Sequence, residues 1–342
     1  MNKFFTLTIV FFIVQKTCAQ SRPNDFIIVE PSSIVYNKKL PFRNIEIIDS
    51  RFDTGKIGYQ LKGYTYEKLL ITPNLASVIQ KKLNEGLKNN FDSSINTTLL
   101  IVVKNLWIQG PVIENDGSPK DQCLSKLELY MKEDETFYPI KRIDSIYTDK
   151  HSAIHFGETL VMMPFQNSLK KIEAINSKKI QSLRKLNWND VKEFNEREFQ
   201  KPILKTMGLK KGIYLSFNDF LKNRIDEKPF EVKFGKLSDQ LYLIDNKEKK
   251  LFTEFWGFCD GSKLYVNAQL NFYELIRNGN GFEFWGNEQV VKQNYNPRFQ
   301  PASRSMPSIA AGLLTYGIEK LKFSEPMNKR PFQINMETGE AY

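Results

Sequence analysis

The sequence is poor in the residues from which most catalytic and metal sites are built. It holds 2 histidines and 3 cysteines among 342 residues, and it lacks the Gly-x-Ser-x-Gly pattern that presents a nucleophilic serine in many hydrolases. His151 and His155 have the spacing of a zinc pair on one helical face, but the zinc-protease pattern needs a glutamate where Ser152 stands, and Gly157 favours a loop. We therefore predict surface histidines, no metal and no cofactor.

No apolar run is long enough to cross a bilayer, which takes roughly 20 residues. The run at residues 4–14 is about 11 residues long; Lys3 precedes it, and the small-residue site Thr17-Cys18-Ala19 follows it. This is the pattern of a secretory signal peptide. We predict that residues 1–19 are removed, and that the mature protein is exported to the periplasm or cell surface without a transmembrane span. Lys16 argues against Cys18 as a lipid-attachment site, because such signals carry small apolar residues at that place.

Charge and cysteine content limit the classes of partner. The net charge is +10, but the lysines are scattered between acidic residues, and nucleic-acid binding needs a focused basic stripe. We expect no nucleic-acid partner. Cys123 and Cys259 are the cysteines of the predicted mature chain. Two separate thiols, with Cys259 buried in a strand, are the favoured interpretation; a bridge between them is the alternative that export permits.

The order of predicted elements indicates an α+β fold with two domains. In the first, residues 20–186, a strand at 44–50 is followed by a helix that Thr72-Pro73 opens and by a central strand at 97–108, rich in β-branched residues. Helices are expected on one face of a largely antiparallel sheet. Residues 187–211, polar and interrupted by Pro202, are predicted to be the linker.

The second domain, residues 212–342, is predicted to be a β-rich antiparallel meander with a strand at 250–259. Asp260-Gly261 lies between two runs of aromatic and β-branched residues, which predicts a hairpin with a type I′ turn. Gly257 indicates a close approach of two backbones. Trp256 is predicted to lie in the core of a strand that is covered on both faces.

Two motif sets resemble known groups of proteins. With D-S-R-F-D-T-G-K-I-G at 49–58, residues 44–175 resemble small outer-membrane and transport-auxiliary lipoproteins of Gram-negative bacteria. This resemblance implies an envelope-facing binding or assembly domain, and the missing lipid cysteine is a departure from it. G-I-Y-x-S-F-x-D-F at 212–220, W-G-F-C-D-G-x-x-L-Y-V-N at 256–267 and N-M-E-T-G-E at 335–340 resemble uncharacterised secreted proteins of Gram-negative bacteria. That resemblance implies export and a shared β-rich domain, with no residue role to transfer.

Two clusters are candidates for a site. Asp49 and Asp53 flank Arg51, which favours a structural ion pair over an acid/base pair. Aromatic residues follow one another along the meander on both faces of its strands, so most must pack the core. Of these we predict Trp285, Tyr265 and Phe284 as a ligand-binding platform for a glycan or an envelope protein.

These observations predict an exported, non-catalytic binding or envelope-assembly protein. A hydrolase with a dispersed active site is the alternative, because serine, histidine and acidic partners need not be neighbours in sequence.

Overall fold

The computed structural model describes residues 26–62, 65–113, 119–150, 157–172, 184–206, 208–235, 238–268, 271–287 and 329–342. Across these ranges the chain forms an α+β fold, as predicted, with helices placed around an eight-stranded, a three-stranded and a six-stranded sheet. His151 and His155 lie outside the described residues, as does the predicted signal peptide.

The first sheet has the order β1-β4-β3-β5-β6-β7-β8, with β2 also paired to β5. Its strands are β1 (Phe26–Ile28), β2 (Asn44–Asp49), β3 (Gly58–Lys62), β4 (Thr65–Leu70), β5 (Thr97–Ile113), β6 (Pro119–Glu133), β7 (Thr136–Lys150) and β8 (Leu186–Asn187). Strands β5, β6 and β7 form a long antiparallel ladder. Three other pairs are parallel: β1 with β4, β2 with β5, and β3 with β5. The sheet is therefore more mixed than the predicted one.

Strand β5 is the central strand that its composition predicted. Leu99, Ile101 and Val103 face one hydrophobic core, while Leu100 and Val102 face a second core on the opposite side. A strand covered on both faces is a nearly continuous run of large apolar residues. A bulge after Val103 changes the alternation, so that Leu106 and Ile108 face the first core and Trp107 points to the opposite side.

Helices lie on both faces of this sheet, which corrects the one-face prediction. Helices α1 (Leu75–Gly86) and α2 (Glu158–Ile172) pack in the first core, whereas α3 (Trp188–Phe199) places Val191 in the second. Helix α1 is capped by Asn74, which accepts a hydrogen bond from the Ser77 amide at 2.9 Å. The predicted start at Thr72-Pro73 is wrong by two residues, because Asn74 offers the better capping side chain.

The stretch predicted as the linker is helical. Helix α3 is followed by α4 (Pro202–Lys205). Both Ile203 and Leu204 are buried in a core formed mainly by residues after Gly212, the part of the chain that we call the second half. The first sheet ends with β8 at Asn187 and the next strand, β9, begins at Gly212, so the sheets divide at the predicted place. The assignment of two domains stays a prediction.

The second half contains a three-stranded sheet that packs on one face of a six-stranded sheet. The small sheet joins β10 (Phe230–Lys233), β11 (Gln240–Asp245) and β12 (Glu248–Phe252). The larger one has the order β17-β16-β15-β14-β13-β9. Its strands are β9 (Gly212–Tyr214), β13 (Gly257–Cys259), β14 (Leu264–Ala268), β15 (Asn271–Asn278), β16 (Gly281–Asn287) and β17 (Lys329–Gln333). An aromatic core lies between the two sheets, and α4 and α5 (Phe217–Leu221) cover the opposite face of the larger one.

The predicted hairpin is present, with a different turn. Strands β13 and β14 pair from Gly257↔Val266 to Cys259↔Leu264, and the Asp260 amide donates to the Lys263 carbonyl. The central residues are thus Gly261 and Ser262, and of these two only Gly261 has a positive φ, at 105°. The type I′ assignment is wrong. The Asp260 carboxylate accepts hydrogen bonds from the Ser262 and Lys263 amides, so that Asp260 belongs to the residue pair that flanks the turn and not to the turn itself.

Gly257 has the predicted close approach, since a Cβ there would lie 2.4 Å from the Tyr265 carbonyl oxygen. The prediction of a single strand at 250–259 is wrong. Strands β12 and β13 belong to different sheets, and Trp256 lies in the segment of chain that connects them. Trp256 is half-buried rather than fully enclosed. Its ring packs on Phe220, with centroids 4.4 Å apart.

Candidate functional site

A buried cluster of charged side chains joins the first sheet to the six-stranded sheet. The Lys56 ammonium lies 2.6 Å from the Asp53 carboxylate and 2.9 Å from the Glu283 carboxylate. The three residues are 4%, 5% and 5% exposed. Residues Asp53 and Lys56 come from the loop before β3, whereas Glu283 lies on β16. We call this cluster, with Tyr59, the charged joint.

The loop that carries the joint is fixed by its own short-range contacts. Arg51 makes two hydrogen bonds of 2.8 Å to the Asp49 carboxylate and another to the Lys56 carbonyl oxygen. The Asp53 carboxylate also accepts the Gly55 amide at 2.8 Å. The structural ion pair predicted around Arg51 is confirmed with Asp49, while Asp53 pairs with Lys56 instead.

Backbone contacts hold the same loop against the second half. The amide of Asn280, in the β15–β16 turn, donates to the Phe52 carbonyl at 2.9 Å. Gly279 beside it has a φ of 57°, and a Cβ there would lie 3.2 Å from the same carbonyl oxygen. A residue without a side chain is therefore favoured at this contact.

Tyr59 completes the joint from β3. Its hydroxyl donates to the Glu283 carboxylate at 3.1 Å. Burial, followed by the charge of Glu283 and the hydrogen bond to it, raises the pKa of Tyr59 far above its usual value, so the hydroxyl keeps its proton. The Lys56 ammonium also lies 5.4 Å from the centre of the Tyr59 ring and 5.8 Å from that of Trp107, a favourable cation–π geometry.

The C-terminal segment makes a second contact between the halves. Glu337 pairs with Lys126 on β6 and, at 2.9 Å, with Arg142 on β7. Burial alone would raise the pKa of Glu337, but the hydrogen bond from Lys126 and the positive charges of Lys126 and Arg142 together hold it below its usual value. The N-M-E-T-G-E motif thus forms a turn that contacts the first sheet. Within it, the Asn335 side chain accepts a hydrogen bond from the Glu337 amide at 2.9 Å.

A polar cavity of about 40 Å³ lies between these contacts, lined by residues such as Arg51, Lys104, Asp144, Asn335 and Tyr342. That volume is large enough for ordered water. The joint charges next to it are already engaged in pairs, so the arrangement suits a structural contact better than a reaction centre. Within the described ranges, no group of three histidine, cysteine or acidic side chains is placed to hold a metal ion.

An aromatic cleft opens beside the charged joint. It is lined by Tyr59, Tyr66, Trp107, Gln109, Gly110, Pro111, Arg330 and Pro331, and its inner volume is about 10 Å³. The Trp285 ring packs edge-on against Tyr59 and Tyr66, with centroids 5.9 and 5.8 Å away. We call this feature, with Trp285 at its side, the junction cleft. Trp107 Nε1 and Gln109 Oε1 are buried without a hydrogen-bond partner among the described residues.

The structure does not bring the three predicted platform residues together. Trp285 is 37% exposed. Phe284, its neighbour on β16, is fully buried and stacks between Tyr273 and Phe332, which leaves it no surface for a ligand. Tyr265 is half-buried on β14 and stacks on Phe258 at 4.8 Å in the core between the two sheets of the second half.

Sequence reasoning missed Lys56, Glu283 and Glu337, because no local pattern marks a residue whose partner is distant in the chain. The two cysteines are buried free thiols in different cores, so the bridge between them is excluded. Across the part of the chain that the structure describes, no helix is long and apolar enough to span a membrane.

Comparisons with known proteins give little further information. No protein-family model matches the sequence, and no curated protein matches it. Among solved structures, the chain is similar to the crystal structure of a Xanthomonas campestris protein of the family DUF330. The likeness covers 50% of this chain and 99% of that one, at 10% identity and a TM-score of 0.28. A likeness at this level carries no argument about fold or function.

Proposed function

We propose that this chain is an exported, non-catalytic binding or envelope-assembly protein, and that its partner docks at the junction cleft. The observation that carries the proposal is the contrast between the charged joint and the junction cleft. The charged groups of the joint are buried and paired with one another, whereas Trp285 presents a partly exposed ring beside the cleft. Large aromatic rings that are rigidly held and partly exposed are typical anchors of binding surfaces.

The contacts between the two halves also keep the junction cleft rigid. Trp285 stands on a strand of the second half but packs on two tyrosines of the first, so the cleft exists only while the halves are docked. A preformed surface of this kind loses little conformational entropy on binding. The proposed location outside the cytoplasm rests on the signal-peptide pattern of residues 1–19.

Co-sedimentation with purified Gram-negative cell envelopes tests the function. We expect the wild-type protein to bind, and Trp285→Ala to weaken binding at least tenfold. Trp188→Ala is the matched control, because Trp188 is similarly exposed, at 40%, and packs on Phe137 of the first sheet. Equal binding by both variants would overturn the assignment to the cleft, and hydrolysis of a panel of chromogenic esters would overturn the non-catalytic role. Export is tested by the N-terminal residue of the secreted protein, expected to be Gln20.

A further inference from the structure

We propose that two copies of this chain associate through the edge of β7 that faces away from β6, so that the first sheet continues from one copy into the other. This inference goes beyond the proposed function. Strand β7 pairs with β6 along its whole length, from Thr136 to Lys150. On its other side, among the residues that the structure describes, only Thr136 and Phe137 have a partner strand, which is β8. A long edge of this kind is a template on which another chain can add a strand.

The exposed face of this edge has a self-complementary pattern. Side chains alternate along the strand, and one face presents Asp144, Ile146, Thr148 and Lys150 in turn, all of them exposed. Ile146 is 64% exposed, whereas Ile143 on the other face is buried in the first core. The exposed face therefore has an acid at one end, a base at the other and an apolar side chain between them. An antiparallel second copy presents the same groups in the reverse order.

Symmetry limits how β7 can pair with itself. Residues that lie opposite each other point to the same side of the sheet, so the twofold axis passes through a residue and not between two. An axis at Ile146 would place Arg142 opposite Lys150 of the second copy, and like charges in this position are destabilising. An axis at Ser145 would place Asp144 opposite Ile146, which sets a carboxylate against an apolar side chain.

An axis at Tyr147 gives the favourable register. It places Asp144 opposite Lys150 of the second copy, and the symmetry repeats this ion pair at the other end of the interface. Between the two ion pairs, Ile146 lies opposite Thr148 and diagonal to Ile146 of the second copy, within reach of side-chain contact. The exposed apolar side chain is then covered and both charges are paired. These contacts identify the partner strand as a second β7.

Sedimentation velocity of the mature chain across the micromolar range tests the inference. We expect a reversible dimer. Asp144→Lys and Lys150→Glu each place like charges at both ends of the interface, so each should weaken dimerisation roughly tenfold. The double variant Asp144→Lys, Lys150→Glu restores both ion pairs in reverse order and should dimerise within about twofold of the wild type.

Lys81→Glu is the matched control, because it changes the net charge as Lys150→Glu does and the Lys81 side chain on α1 is 74% exposed. It should dimerise as the wild type does. Thermal melts establish that each variant is folded, and the comparison of Lys150→Glu with Lys81→Glu decides the matter if Asp144→Lys is not.

A mature chain that stays monomeric across the micromolar range would overturn the inference. A dimer that neither single charge reversal weakens would place the contact elsewhere and overturn it too. A folded double variant that dimerises no more tightly than the single variants would do the same, because the register about Tyr147 requires both ion pairs.

Discussion

Lys56→Met is the most direct test of the charged joint. The substitution removes the cation that lies between the buried carboxylates of Asp53 and Glu283, at 2.6 and 2.9 Å. Methionine keeps most of the side-chain length and packs well against the rings of Tyr59 and Trp107, so the loss is mainly electrostatic. Removing one partner of a buried ion pair costs about 3–5 kcal/mol, because the remaining charge has no compensation.

Lys263→Met is the matched control. Lys263 lies 2.8 Å from Glu274, but the two side chains are 51% and 45% exposed. An exposed ion pair contributes little to stability, because water screens the two charges. Both substitutions remove a lysine ammonium that lies within 3 Å of a carboxylate. They differ in how deeply the ion pair is buried.

Urea unfolding at pH 7, followed by tryptophan fluorescence and by circular dichroism, measures both variants. We expect a loss near 4 kcal/mol for Lys56→Met and little or no change for Lys263→Met. The neutral triple variant Asp53→Asn, Lys56→Met, Glu283→Gln should recover much of the loss, since no buried charge is left uncompensated. A Lys56→Met protein as stable as Lys263→Met would refute the joint as a buried electrostatic contact.

Three further predictions concern the C-terminal contact and the thiols. Because the pKa of Glu337 is lowered in the folded state, its contribution to stability should be present above the usual glutamate value of about 4.3 and disappear as the pH falls below it. Urea unfolding from pH 7 to pH 3 should therefore show the gap between wild type and Glu337→Gln closing with acid, and a constant gap would contradict this. Gly339→Ala should lower the free energy of unfolding by about 1–3 kcal/mol, because φ is 79° and a Cβ would lie 2.5 Å from the Phe217 ring; Gly208→Ala, where nothing lies within 4 Å, should leave the melting temperature nearly unchanged. Burial raises the pKa of the Cys123 thiol and of the Cys259 thiol, so maleimide should label neither in the native mature chain and both after unfolding without reductant; protection that persists in denaturant would indicate a bridge.

The features that the sequence alone predicted correctly depend on neighbours in the chain. The β-branched run of β5 indicated a central strand because a strand covered on both faces needs apolar residues on both. The glycines at 257 and 261 marked a close backbone approach and a turn, since a residue without a Cβ permits a close contact and a positive φ. Arg51 and Asp49 are two residues apart, close enough for their pairing to follow from local geometry.

The residues of the junction depended on tertiary structure. Tyr59 and Glu283 are 224 residues apart in the chain, and neither carries a local mark of the other. Phe284 and Trp285 look equivalent in the sequence, and alternation places them on opposite faces of β16. One ring lies in the core, and the other lies on the tyrosines of the first sheet, next to solvent. Periodicity reports which faces of a strand are apolar, but the element that covers each face is fixed only when distant segments pack together.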